Sequence, residues 1–372
     1  MTKLLTICIP TYKRPATLRR CIDSIVAQIE KSALSNCVDI YVANDASPDD
    51  TVSVLQSYAS LSYFNGVTRE QNLGMNVNIK CMLTEVAKKS DYQLIITDDD
   101  YLQPDILVEI AEILRVQQHD SNRVPAIWTP RYAYTEDGNF VFVVCNPFPA
   151  STYVRPSAAN AGKYMKNGFV LSGLIVRAEC IDFEFWEQYK ESAYFPMIFF
   201  GDLLLRGGAY YWNKNIVQHT VLNKCHWESW GKNNVVIGLR KFSDVVNSYG
   251  IMAGKIKSIP KRASFYASSF LSIRNQVNSF LLSEELMCEE AVMTDAVRDL
   301  KARGILKYNF QLRLSMLCSL LLIAISILML LIRLQLATWI REKKMKEQYQ
   351  KAKDVQSRMV RAMPRMLKLI LA

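Results

Sequence analysis

Over roughly the first 115 residues, short runs of apolar positions alternate with longer amphipathic stretches. Leu5, Ile7 and Ile9 alternate with Thr6 and Cys8 and predict a strand over residues 4–9. Pro15 then opens a helix, at a position where the missing N–H costs nothing. A second β-rich run, Cys37 to Ala43, ends in NDASPDD, which caps a helix from about residue 51. A third short strand is expected at Leu61 to Phe64, and after TREQNLGMNVN a helix through about Lys88. Tyr92 to Thr97 is a fourth, wholly buried-looking strand, ended by Asp98, Asp99 and Asp100, with Pro104 opening the next helix. This order predicts an α/β fold with a mostly parallel central sheet flanked by helices.

Such a sheet binds ligands at the carboxyl ends of its strands. The polar clusters Thr11/Tyr12, Asn44/Asp45, Arg69/Asn72 and Asp98–Asp100 all fall there, which is the main functional clue in the chain. Residues 124–222 carry aromatic, β-like runs (AIWTPRYAY, FVFVVC, FVLSGLIV, YYWNKNIVQH) that read as the second half of a cleft in the same domain. From 232 to 312 the pattern is helical, broken at Pro260 and stopped at Gly304.

Composition changes the picture in the last third. The formal net charge is +10, but residues 333–372 hold 11 Lys or Arg against 3 Asp or Glu, so the basic character belongs to the tail. Just before it, residues 314–332 carry no charge; as a helix they would extend about 28 Å, close to the hydrocarbon thickness of a bilayer. This run predicts a helical C-terminal membrane-associated region, with a buried core or oligomer helix as the alternative. The basic tail beside it suits anionic membrane lipids better than nucleic acid, for which no recognition module is present. Basic residues flank both ends of the run, so a span and a re-entrant arrangement both stay open. Nine cysteines with no CxxC pair fit reduced thiols, and the N-terminus predicts no secretion signal.

The candidate chemistry centres on Asp98–Asp100. Like charges crowded at a strand end are costly unless they share a cation, and oxygen ligands favour Mg2+ or Mn2+, ions that hold diphosphates. A helix N-cap with exposed acids is the competing reading. No GxGxxG or Walker lysine motif is present, which excludes the common nicotinamide and P-loop patterns and leaves nucleotide-diphosphate chemistry.

LTICIPTYKRPATLRRCIDSI, YVANDASPDD, REQNLGMNVN and LIITDDDYLQPD, and more loosely LSGLIVRAE and FFGDLLLRGG, together resemble an inverting glycosyltransferase of family 2 with the GT-A fold, over residues 4–220. The likeness is to bacterial surface-polysaccharide and O-antigen transferases. It implies donor-binding roles for Thr11, Tyr12, Asp45, Arg69 and Asp98. It implies metal ligation of Mn2+ or Mg2+ by Asp99 or Asp100, which His219 could complete. Asp202 would be the general base, although Gly201 stands where the family commonly has Glu.

The resemblance further implies a nucleotide-sugar donor and a lipid-linked saccharide acceptor, at the cytoplasmic face of the membrane (the inner membrane in a bacterium). A polyprenyl-phosphate sugar transferase and a non-catalytic membrane scaffold are the alternatives, and homo-oligomer formation is left open. The expected map is a transferase domain over 1–230, a helical extension over 231–312, an apolar membrane helix over 313–340 and a basic tail over 341–372.

Overall fold

The computed structural model describes residues 2–120, 123–135, 137–192, 194–220, 245 and 247–269. The chain divides into two compact units, Met1–Cys225 with Ile256–Phe265, and His226–Lys255 with Tyr266–Ala372. In the first unit the elements run β1 (Lys3–Thr11), α1 (Pro15–Lys31), β2 (Val38–Asn44), α2 (Thr51–Ser57), β3 (Phe64–Thr68), α3 (Met75–Val86), β4 (Ser90–Ile95), β5 (Tyr101–Leu102) and α4 (Ile106–His119). They continue as β6 (Ala126–Trp128), β7 (Arg131–Tyr134), β8 (Phe140–Cys145), β9 (Thr152–Val154), α5 (Ala158–Tyr164), β10 (Leu174–Arg177), α6 (Phe183–Trp186), α7 (Phe195–Gly207), β11 (Ala209–Tyr211) and β12 (Val217–Thr220).

Eight strands form one sheet in the order β3-β2-β1-β4-β10-β6-β11-β9, and β5-β12-β7-β8 form a second. The sheet is parallel where helices return the chain, with β1 beside both β2 and β4. It turns mixed beyond β4, because β10 runs antiparallel to β4 and β6. β3 starts three residues later than the apolar run Leu61–Phe64 predicts: it pairs with β2 from Ile40↔Phe64 to Asn44↔Thr68, and Leu61 and Tyr58 close the turn before it.

The core lies between the first strands and their helices. Ile7, Ile9, Ile40, Val42, Leu94 and Ile96 are fully buried against Leu18, Ile22 and Ile25, which recur at helical spacing along one stripe of α1. Each such side chain contributes about 1.5–3 kcal/mol by leaving water. On the far side, Trp128 is fully buried and meets the Phe200 ring edge-on at 4.8 Å.

Among the described residues no helix is long and apolar enough to cross a membrane. No described helix therefore bears out the expected membrane-associated C-terminal region or the placement at the cytoplasmic membrane face. The longest described helix, α1, has 17 residues and is amphipathic, and its apolar stripe is spent on the sheet. The stretches behind those expectations, 313–340 and 341–372, lie outside the described residues, as does most of the expected helical extension. Residues 247–255 and 259–269 of that extension are helical.

Candidate active site

The register sets the carboxyl ends of β1, β2 and β4 side by side, with Thr11 opposite Asn44 and Cys8 opposite both Tyr41 and Ile95. The chain leaves these ends through strained backbone. Lys13 and Ala46, the second residue after β1 and after β2, hold φ of 59° and 56°, a left-handed conformation that non-glycine residues adopt at a cost of order 1–3 kcal/mol. Ser47 ties the two loops together by accepting the Lys13 N–H at 2.9 Å.

The acidic run lies at the centre of this edge. The Thr11 hydroxyl donates to Asp98 Oδ2 at 2.7 Å. One nitrogen of Arg14, Nη1, donates to Asp98 Oδ1 at 3.1 Å and to Asp99 Oδ2 at 2.6 Å. Burial pushes the Asp98 carboxyl up to about 7, a rise that the Arg14 charge and the Thr11 hydrogen bond hold back. Tyr12 sits beside the cluster with its ring 39% exposed and the Lys13 ammonium 4.9 Å from the ring centroid. The ammonium lies over one face of the ring, and the residue stays partly exposed.

Asp100 points elsewhere. It is fully buried; Oδ1 accepts the Thr220 N–H at 2.8 Å, and Oδ2 lies 3.0 Å from His219 Nδ1 and 3.1 Å from the Thr97 hydroxyl. Burial lowers the affinity of His219 for its proton, but the Asp100 hydrogen bond and charge outweigh it and leave the imidazole above its ordinary value. Arg20 closes the group, reaching Thr220 Oγ1 at 3.1 Å with its guanidinium over the Tyr101 ring at 4.6 Å.

Three expected site residues are held by partners of their own. The buried Asp45 carboxylate accepts the N–H groups of Leu73 and Gly74 at 2.8 and 2.9 Å, so both oxygens fasten the loop that starts α3. Arg69 donates from Nε to Asn78 at 3.0 Å and from its two terminal nitrogens to Glu85 at 2.5 and 3.0 Å, which makes it a strut between β3 and α3. Asp202 is 2% exposed on α7, and its Oδ2 accepts from Arg206 at 2.7 and 2.9 Å. Arg206 in turn donates to the Cys180 carbonyl, three residues past Arg177, whose sheet partner Tyr92 lies near the start of β4. The Asp202–Arg206 pair is thus anchored to the backbone at Cys180.

Among the described residues, no group of three His, Cys, Asp or Glu side chains could by itself hold a metal ion. Asp99 faces Arg14, whereas Asp100 and His219 face one another, so the three expected ligands do not converge. Both oxygens of Asp98 and of Asp100 are already engaged. Asp99 Oδ1 takes no protein donor among the described residues. Mg2+ and similar ions keep several waters and bind through one or two carboxylates plus substrate phosphates; Asp99 fits that mode and no all-protein cage.

Residue patterns missed the positively charged part of this site. Arg14 shows in the sequence only as one of several basic residues after the first strand. Ser172, which accepts the Thr97 N–H at 2.8 Å and joins the end of β4 to β10, has no local signal at all.

A parallel β2-β1-β4 edge carrying Thr11, Arg14 and the acidic run lies where such a sheet binds ligands, and similarity to known proteins points to the glycosyltransferases. Residues 6–137 match the model of glycosyl transferase family 2, which classes this segment with the glycosyltransferases. No curated protein matches the chain. Among solved structures, residues 1–349 of S. aureus TarS superpose with a TM-score of 0.51 at 14% identity, over 75% of this chain and 80% of that one. That likeness supports the GT-A fold. A mannosyltransferase of Pyrobaculum calidifontis, PcManGT in complex with GDP-Man and Mn2+, aligns over 99% of this chain and 88% of its own at 14% identity, with a TM-score of 0.49.

Proposed function

We propose that this enzyme transfers a sugar from a nucleoside-diphosphate sugar to a hydroxyl of a saccharide acceptor, by a single displacement that inverts the anomeric carbon. The observation that carries the reading is the Asp98–Asp99 pair at the end of β4, held between Thr11 and Arg14 beside the exposed Tyr12 ring. Tyr12 supplies a face for the base, worth about 1–3 kcal/mol in stacking by analogy with other base–aromatic contacts. Asp98, held by Thr11 and Arg14, would stand on the ribose side. Asp99 would hold Mn2+ or Mg2+ together with the diphosphate, and the ion supplies charge stabilisation for the leaving nucleoside diphosphate. Arg14 and Arg20 set fixed positive charge at the same edge before any ligand arrives.

The test is consumption of a panel of UDP-, GDP- and dTDP-sugars by the purified full chain, with Mn2+, Mg2+ or EDTA. Free and lipid-linked saccharides serve as separate acceptor arms, and NMR of the product reads the anomeric configuration. The expected result is turnover of one donor, lost with EDTA and about ten-fold weaker donor binding in Tyr12→Ala, in line with the stacking loss. A folded chain that neither binds nor consumes any donor overturns the reading.

A further inference from the structure

We propose that Arg14 is a built-in counter-ion for the Asp98–Asp99 pair, occupying the place of the divalent cation until a nucleoside diphosphate brings the metal. Arg14 then exchanges carboxylate oxygens for phosphate oxygens. The nucleotide half of this inference rests on the donor-site reading above; the metal half does not.

The geometry is that of a cation site filled by a side chain. Arg14 Nη1 is within 3.1 Å of Asp98 and 2.6 Å of Asp99, so one nitrogen bridges two carboxylates that would otherwise repel each other. Their side chains are only 5% and 17% exposed, so a positive charge between them offsets their mutual repulsion where water does little to screen it. The backbone aims Arg14 at this place. Lys13 before it is held in the left-handed region and bonded to Ser47, and Pro15 after it disfavours the helical region for Arg14, which stands at φ −140° and ψ 52°.

The guanidinium is not exhausted by this contact. Nη1 alone has a partner; Nε and Nη2 make no hydrogen bond among the described residues, and the side chain is 27% exposed. A guanidinium is planar and matches phosphate oxygens two at a time. The open side of the fork can therefore take a diphosphate oxygen while Nη1 still touches Asp99, and a cation arriving with that diphosphate displaces Nη1 from the carboxylates. A fixed positive charge a few ångströms from the metal position makes nucleotide-free metal binding weak. Metal and nucleotide then bind as a unit.

The experiment is Mn2+ binding to the full chain by electron paramagnetic resonance, first without nucleotide. Arg14→Gln is expected to tighten Mn2+ binding about ten-fold, the order expected from removing one unit charge near a divalent ion in a solvated site. Arg14→Lys, which keeps the charge, is expected to stay as weak as the wild type. Adding Asp99→Asn to Arg14→Gln is expected to abolish the gain. A folded Arg14→Gln protein with wild-type Mn2+ affinity overturns the proposal, and so does a gain that survives Asp99→Asn. Should Arg14→Gln fail to fold, the wild type alone decides: equal Mn2+ affinity with and without UDP or GDP overturns the proposal, and a rise of ten-fold or more supports it. Failure of the donor reading shows separately, as an absence of nucleotide-sugar binding, and leaves the nucleotide-free comparison intact.

Discussion

Asp100 Oδ2 lies 3.0 Å from His219 Nδ1 across 119 positions of sequence, and the neighbouring Thr220 N–H closes on Asp100 Oδ1 at 2.8 Å. One buried carboxylate thus fastens the end of β12 to the loop that follows β4. Asp100→Ala leaves the Thr220 N–H and the Thr97 hydroxyl without their acceptor. It is expected to cost about 2–3 kcal/mol and to lower turnover, read by urea denaturation and by donor consumption. His219→Ala is expected to cost about 1 kcal/mol, because Asp100 keeps the Thr220 N–H and the Thr97 hydroxyl. Equal stability of Asp100→Ala and wild type would show that the loop does not depend on this contact.

The Asp202–Arg206 pair gives a sharper division between chemistry and structure. Asp202 is buried and Arg206 is 37% exposed at its side chain, so Asp202→Asn weakens an ion pair whose cation can still reach solvent. A loss of about 1–3 kcal/mol is expected, with kcat reduced less than about ten-fold, which is under 1.4 kcal/mol on the barrier. Thermal melting and donor turnover, measured on the same preparation, separate the two. A hundred-fold fall in kcat with an unchanged melting temperature would assign Asp202 the role of general base.

Arg69 and Glu85 predict a pH-dependent stability. Burial raises the Glu85 carboxyl, but hydrogen bonds from Arg69 and Tyr41 outweigh it and bring it below its ordinary value. A depressed carboxylate contributes stability that is present above its unfolded pKa and lost as pH falls through the folded one. With Glu85 36% exposed at its side chain, solvent screens the pair, so Arg69→Gln is expected to cost about 1 kcal/mol at neutral pH. That difference from wild type is expected to vanish toward about pH 3, below the ordinary carboxylate range. Nucleotide affinity of the variant is expected to match wild type within about three-fold, since the full guanidinium fork faces α3. A ten-fold loss of affinity would place Arg69 in the donor pocket.

Gly208 ends α7 at φ +76°, and a Cβ there would collide with the Val154 carbonyl oxygen and sit 3.0 Å from Pro156 N. Neither obstacle is a flexible side-chain end. Gly208→Ala is expected to destabilise by about 2–4 kcal/mol, from the left-handed backbone and the forced shift of β9 against β11. Denaturant midpoints check it, and a loss below about 0.5 kcal/mol would mean that the β9 edge yields freely.

The first half of the fold is legible in residue patterns because its contacts are local or periodic. The alternation in Leu5, Ile7 and Ile9, the stripe Leu18, Ile22 and Ile25, and the breaks at Pro15 and Pro104 each state their element without help from distant residues. The start of β3 is not legible in this way: the apolar run Leu61–Phe64 belongs partly to a turn, and only pairing with Ile40–Asn44 selects Phe64 as the first strand residue. The antiparallel insertion of β10 between β4 and β6 is equally unmarked, because nothing in LIVR distinguishes strand direction.

The candidate site divides the same way. By itself the chain determined that polar side chains gather at the carboxyl ends of parallel strands and that Asp98–Asp100 form the acidic centre, because both follow from where each strand stops. Only the tertiary structure decided what each polar atom faces. It turned Asp45 and Arg69 to α3, buried Asp202 against Arg206, joined Asp100 to His219 and set Arg14 between Asp98 and Asp99. Hydrogen bonds and ion pairs are satisfied at distances of about 3 Å between residues tens to more than a hundred positions apart, and no local pattern in the chain carries that information.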